Sequence, residues 1–187
     1  MVLSLTLISL GASAALGYVY EFTKGPIEAS VLNKKIEAIR QVVPEFTNDP
    51  NEEMFMLPTG EGDSLEVYPA KNGEQVVGYA VKSYTNKGFS GHIVFMVGFK
   101  PDGTIYNINV LEQKETPGLG NKMVPQGTGD KPTFKDQFMD KNPATFSLKV
   151  KKDGGQVDAI TAATISSRAF CDGVQRAYNA FEKGGLK

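Results

Sequence analysis

The first twenty residues, M-V-L-S-L-T-L-I-S-L-G-A-S-A-A-L-G-Y-V-Y, contain no charged side chain. No other feature limits the fold of this chain so strongly. As a helix rising about 1.5 Å per residue, such a run spans about 30 Å, the thickness of a bilayer's hydrocarbon core. Gly11, Ala12, Ser13, Ala14, Ala15 and Gly17 fall on its later turns, the small-residue content of a helix that packs closely against other membrane helices. Tyr18 and Tyr20, followed by Glu21 and Lys24, read as an interfacial belt. A secretory signal peptide is the alternative, with Ala12-Ser13-Ala14 as its cleavage site. Against it, no Lys or Arg precedes the apolar run, as a signal peptide requires. The expectation is one membrane helix over residues 1–20, with the natural chain starting upstream of Met1. Membrane orientation is not legible from charge.

A helical connector is expected over residues 21–45. Gly25-Pro26 should end the membrane segment, and Val31, Leu32, Ile36, Ile39, Val42 and Val43 then recur at helical spacing before Pro44. Asn48 to Glu53 is polar and reads as a loop. From Ser64 the pattern turns to strands: Leu65 to Tyr68, stopped by Pro69, and Gln75 to Tyr84, followed by a glycine-containing connection over 86–91. His92 to Phe99 has hardly a polar break, as a strand buried on both faces would. Pro101-Asp102-Gly103 is a turn joining it to Thr104–Leu111, and Phe146 to Val150 is a shorter strand. A final helix over Ser167 to Lys183 carries the apolar stripe Phe170, Val174, Ala177 and Phe181, and Gly184-Gly185 stops it. The fold class is α+β: residues 46–187 form a mostly antiparallel sheet with flanking helices, preceded by the membrane helix.

Composition excludes several functions. Twenty Lys plus Arg against 21 Asp plus Glu give a formal charge of -1, so there is no basic footprint and no nucleic-acid partner is expected. Cys171 and His92 are the only residues of their kinds. The chain alone therefore builds no intramolecular disulfide, no thiolate iron–sulfur cluster and no Cys/His zinc site. No metal site is expected either, since Glu112, Glu115, Asp130 and Asp136 read as solvated loop carboxylates. With one histidine and no G-x-S-x-G elbow, nothing activates a serine or threonine hydroxyl for hydrolysis. Redox chemistry would need an organic cofactor.

Two segments lack the hydrophobic logic of a core. Glu112 to Gly120, E-Q-K-E-T-P-G-L-G, follows a buried strand, and its two glycines let backbone amides approach a flat or phosphorylated ligand. A plain connecting loop explains the same composition. Asp158 to Ser167, D-A-I-T-A-A-T-I-S-S, sets the hydroxyls of Thr161, Thr164, Ser166 and Ser167 just before the last helix. Unpaired amides and the helix dipole there favour an anion, held by the amides and by Ser166 or Ser167. Ordinary N-capping explains one such hydroxyl without any ligand.

Together these segments resemble the FMN-binding domain of the G subunit of Rnf-type ion-translocating oxidoreductases. The C subunit of the sodium-translocating NADH:quinone reductase is closely similar. Glu115 to Gly120 match that family's E-T-P-G-L-G loop at every position. Asp158, Thr161, Ala163 and Thr164 match its flavinylation motif, D-x-x-[ST]-G-A-T, with Ser166 and Ser167 beyond it. Gly88-Phe89-Ser90-Gly91 is similar to the family's glycine-aromatic-glycine entry to the central strand. One position departs: residue 162 is Ala where the family has Gly.

The resemblance implies covalent FMN, joined through its phosphate to the Thr164 hydroxyl by a separate flavin transferase. It also implies cofactor contacts at Glu115, Thr116, Gly118, Leu119 and Gly120 in the first loop and at Ser90 in the hairpin. Thr161, Ala163, Ile165 and Ser166 would supply the rest. The expected protein is a single-pass subunit of the inner membrane with its FMN domain on the extracytoplasmic side. It would relay electrons among other membrane subunits of an Rnf-type complex coupling ferredoxin/NAD chemistry to ion translocation, with membrane lipid around its helix. The competing expectation is a membrane-tethered extracytoplasmic binding or scaffold domain that has lost its flavin, and Ala162 is its support.

Overall fold

The computed structural model describes residues 2–60, 62–124 and 132–186. Met1 and Asp130 lie outside the described residues. The chain forms two compact units, Met1–Glu37 and Ala38–Lys187. A single helix, α1 (Val2–Val42), makes up the first and contributes its last residues to the second. Its N-terminal part is long and apolar enough to cross a membrane, and that stretch is exposed throughout. The expected stop at Gly25-Pro26 is absent, because Pro26 lies inside the helix. A proline inside a helix forgoes one backbone hydrogen bond and crowds the carbonyl four residues back, but its further clash with the Cβ of the preceding residue is absent here because Gly25 has none.

The second unit is a five-stranded antiparallel meander, β1 (Phe55–Pro58), β2 (Ser64–Asn72), β3 (Gln75–Gly88), β4 (Gly91–Phe99) and β5 (Ile105–Glu112), paired in chain order. Helix α2 (Thr164–Lys183) covers one face. On that face Ile93, Phe95, Val97 and Phe99 of β4 join one buried cluster with the α2 stripe Phe170, Val174, Ala177 and Phe181. Ring centroids of Phe95, Phe134 and Phe138 lie 5.0–5.1 Å from that of Phe170. A Cβ on Gly173 would sit 2.4 Å from the Phe95 ring, so helix and sheet meet there at backbone distance. The opposite face packs Tyr68, Ala80 and Met96 against Ile39, Val42 and Val43 at the end of α1. A Cβ on Gly98 would stand 1.5 Å from the Val42 carbonyl oxygen. Strand β4 is thus buried on both faces, as its unbroken apolar run implies.

The sheet differs locally from the pattern expected of the sequence. Strand β2 runs through Pro69, because β1 reaches only Val67 and the Asn48 side chain serves as partner beyond it. Asn48 Nδ2 donates to the Pro69 carbonyl (3.0 Å), and the Lys71 N–H donates to Asn48 Oδ1 (2.8 Å). The carbonyl and nitrogen of one strand residue point to the same edge, so the proline removes no bond to β3. Strand β1 has four residues ending in Pro58, too short to show an alternation in sequence. Strand β3 extends to Gly88, which pairs with Gly91, so the 86–91 connection shrinks to a turn carrying Phe89 and Ser90. Phe146 to Val150 is not a strand: only Val150 pairs, in an isolated bridge with Val157.

Candidate functional site

Helix α2 begins at Thr164 instead of Ser167. Before it, the Ala163 N–H donates to the Ile160 carbonyl (3.0 Å), closing a turn. Ala162 occupies the third position of that turn with φ +59°, the left-handed backbone that type II turns demand there and that glycine adopts most readily. The departure at position 162 therefore falls where the backbone most favours glycine.

The first intrahelical bond of α2 runs from the Ser167 N–H to the Ala163 carbonyl (3.0 Å). The amides of Thr164, Ile165 and Ser166 precede it and have no helical acceptor four residues back. These residues line a cleft of about 350 Å³ together with Phe89, Thr116, Leu119, Gly120, Ala162 and Ala163. Three chain segments form its walls: the β3–β4 turn, the loop after β5, and the start of α2. Outside α1, the large apolar side chains exposed among the described residues are Met54, Met56, Phe89, Leu119 and Ile165. Three of these five rim this cleft, with Phe89 as much as 66% exposed. An apolar rim beside unpaired amides suits a ligand with a flat ring and an anionic end.

The four candidate hydroxyls are not equivalent. Ser166 Oγ is buried and donates to Glu115 Oε2. Ser167 Oγ is fully buried, donating to the Ala163 carbonyl and accepting from the Ile160 N–H (both 2.9 Å). Ser166 lines the cleft with its hydroxyl already engaged by Glu115, and Ser167 is not among the lining residues. Thr161 lines a separate cavity with Lys122, Thr133 and Phe134. Thr164, half-buried, is the hydroxyl residue of the motif that lines the cleft without a buried hydroxyl partner.

Glu115 is also not the solvated carboxylate expected of a loop. It is 4% exposed, accepts from the Ser90 N–H (2.8 Å) and from Ser166, and stands behind the cleft wall. Ser90 itself borders a different cavity, with His92 and Glu112. Gly118 adopts φ +77° with open space where its Cβ would be, whereas a Cβ on Gly120 would meet Ser166 Oγ at 2.4 Å. Thr116, Leu119, Gly120, Ala163, Thr164, Ile165 and Ser166 are thus brought together, with Glu115 behind them. Ser90, Gly118 and Thr161 lie outside the lining. Phe89 and Ala162 line the cleft without having been candidates. The signal for Phe89 was a large apolar residue at a hairpin tip.

Outside the cleft, Arg168 grips Asp153 through two bonds of 2.7 and 2.6 Å, holding that carboxyl below its ordinary range and fixing the first turns of α2 from the solvent side. Cys171 is buried, and loss of hydration pushes its thiol up to about 12, so it is inert at neutral pH.

A family model for the FMN-binding domain matches residues 88–179, a span that contains all three walls of the cleft. The G subunit of an ion-translocating oxidoreductase complex from Stutzerimonas stutzeri is 33% identical over 177 residues, 94% of this chain and 77% of that protein. The chain belongs to this G-subunit family. Its member from Acetobacterium woodii, the G subunit of a Na(+)-translocating ferredoxin:NAD(+) oxidoreductase complex, is 31% identical over 192 residues, 96% of this chain and 89% of that protein. The Aliivibrio fischeri G subunit is 31% identical over 94% of this chain and 86% of its own length. Family membership brings an FMN-binding domain, and the cleft's donor set fits that cofactor: free amides for a phosphate and an apolar rim for a ring.

Proposed function

We propose that this chain is an electron-relay subunit of an Rnf-type complex, carrying FMN as a phosphoester on Thr164. The observation that carries the reading is the placement of Thr164 at the start of α2, inside a cleft with an apolar rim, while Ser166 and Ser167 are tied inward. In attachment, Thr164 Oγ1 gains a bond to the FMN phosphorus of FAD. The pyrophosphate linkage breaks, AMP leaves, and the hydroxyl proton passes to a base of the flavin transferase. Bound FMN supplies one- and two-electron redox chemistry. The protein's part is to hold the phosphate at the amides of residues 164–166, to pack Phe89, Leu119 and Ile165 about the ring, and so to set its surroundings. Among the described residues that line the cleft none is a histidine, carboxylate or lysine, which supports a relay over proton abstraction from a substrate there.

The N-terminal part of α1 anchors the chain in the inner membrane as a single span. The domain lies on the extracytoplasmic side among other membrane subunits, and the complex couples ferredoxin/NAD chemistry to ion translocation. Loss of the flavin, leaving a binding or scaffold domain, is the second reading, and the left-handed Ala162 favours it. The test is the intact mass of the full chain purified from cells containing the transferase, with flavin fluorescence of the denatured band. A mass raised by one FMN less one water, mapped to the peptide holding Thr164, supports the proposal. An unmodified mass rejects it in favour of the second reading.

A further inference from the structure

Glu115 stands at the junction of the three cleft walls without lining the cleft. Its carboxylate takes the Ser90 N–H on Oε1 and the Ser166 hydroxyl on Oε2, partners 25 and 51 residues away in the chain. Two glycines make room for it. A Cβ on Gly88 would approach Oε1 to 2.8 Å, and a Cβ on Gly120 would approach Oε2 to 2.7 Å. Placing a carboxylate where it is 4% exposed is costly unless its oxygens are well bonded. Once they are, charge-assisted bonds of this kind are stronger than neutral ones. Each partner belongs to a different wall: Ser90 adjoins Phe89 at the hairpin tip, and Ser166 is two residues beyond Thr164. The backbone of Glu115 opens the third wall, Thr116 to Gly120, and its own N–H is held by Gln113 Oε1 (2.7 Å).

We infer that Glu115 is the positioning residue that assembles the flavin cleft, fixing the Phe89 turn and the start of α2 to the Thr116–Gly120 loop before any cofactor arrives. This rests on the reading of the cleft as the flavin site, but the lock itself is a property of the chain alone. Both partners donate, so the residue must accept at both oxygens. Glutamine preserves one acceptor and lets the Ser166 hydroxyl reverse to accept from the amide. Alanine preserves neither bond.

The test compares wild type, Glu115→Gln and Glu115→Ala as full chains in detergent, with Ser83→Ala as control. Ser83 makes an equally buried bond, to the Gly173 carbonyl (2.7 Å), away from the cleft. Amide hydrogen exchange is read at Ser90 and at residues 116–120 and 164–167, relative to Val81 and Val97 in the core. Where flavin is attached, its visible circular dichroism is read as well. In Glu115→Ala the Ser90 amide should exchange at least about tenfold faster relative to the core, and the flavin signal should collapse toward that of free FMN. Glu115→Gln should recover most of both, and Ser83→Ala should leave both unchanged. Equal acceleration in core and cleft, or an unchanged Ser90 amide in Glu115→Ala, overturns the inference. Should the wild type carry no flavin, the function reading fails while the exchange comparison still decides this one.

Discussion

Ala162→Gly should stabilise the domain, which is unusual for a substitution that removes a methyl group. Ala162 sits at φ +59°, a conformation that costs an L-residue roughly 1–2 kcal/mol and glycine almost nothing. Its side chain is exposed, so deleting the methyl forfeits little burial. Against the gain stands the extra freedom of glycine in the unfolded chain, roughly 0.4–1 kcal/mol. The balance is about 0.5–1 kcal/mol in favour of glycine. For a unit the size of Ala38–Lys187 this raises Tm by roughly 1–4 °C. Ala163→Gly is the matched contrast, since Ala163 has φ -135° and is buried. There the lost methyl burial and the added freedom have the same sign and destabilise by roughly 1–2 kcal/mol. Thermal unfolding of both variants, followed by far-ultraviolet circular dichroism of the full chain in detergent, reads the difference. If both glycines lower Tm, the left-handed strain at position 162 is not what governs that turn. The same variant should raise the fraction of chain carrying flavin, since it restores the backbone freedom of the family motif.

Thr164→Ala should abolish covalent flavin, read by intact mass, whereas Thr161→Ala should leave attachment intact because Thr161 opens on another cavity. Phe89→Ala should shift the midpoint potential or visible circular dichroism of the attached flavin without lowering Tm by more than about 1 °C, because that ring is largely exposed. Gly98→Ala forces a Cβ to within 1.5 Å of the Val42 carbonyl and should destabilise by roughly 3 kcal/mol or more in chemical denaturation. Alkaline stability tests Cys171. Its thiol is raised from 9.0 to about 12, so between those values the unfolded state has lost the proton and the folded state retains it. Stability should therefore fall as pH rises through that window, and Cys171→Ala should fall less steeply in pH-dependent unfolding.

The elements with strong periodicity were legible from sequence: the apolar start of α1, the doubly buried β4, the β4–β5 turn and the α2 stripe. What escaped notice depends on partners distant in sequence. Pro69 reads as a strand breaker until Asn48 is seen standing in for the missing neighbour. Glu115 reads as a solvated loop acid until the space above Gly88 and Gly120 is seen to be its own. A residue's burial depends on what folds over it, and a motif written as a string does not say that its glycines leave room for its glutamate.

The hydroxyls of Ser166 and Ser167 are different, because helical geometry alone could have set them on the sheet-facing side of α2. Residues three and four apart share a helix face. Counting back from Phe170 reaches Ser167 and Ser166, so both belong to the stripe that faces the sheet, where they are buried. Thr164 is ten residues before Val174 and six before Phe170, about 80° and 120° round the helix from them, at the edge of that stripe, and it lines the cleft. The obstacle was the helix start: with α2 beginning at Ser167, there was no reason to extend the stripe backward. The true start at Thr164 follows from the turn that Ala163 closes onto Ile160, whose third residue takes the left-handed backbone. The glycine of the family motif and its threonine are thus parts of one device. The turn sets where the helix begins, and the beginning sets which hydroxyl residues fall on the buried face and which at the cleft. It follows that inserting one alanine between Thr164 and Ile165 should disrupt attachment even with the motif string Asp158–Thr164 intact. The insertion rotates Thr164 by about 100° relative to the stripe, and intact mass of the purified chain reads the outcome. Full flavin on the insertion variant would mean that the transferase reads the string and not the helix start.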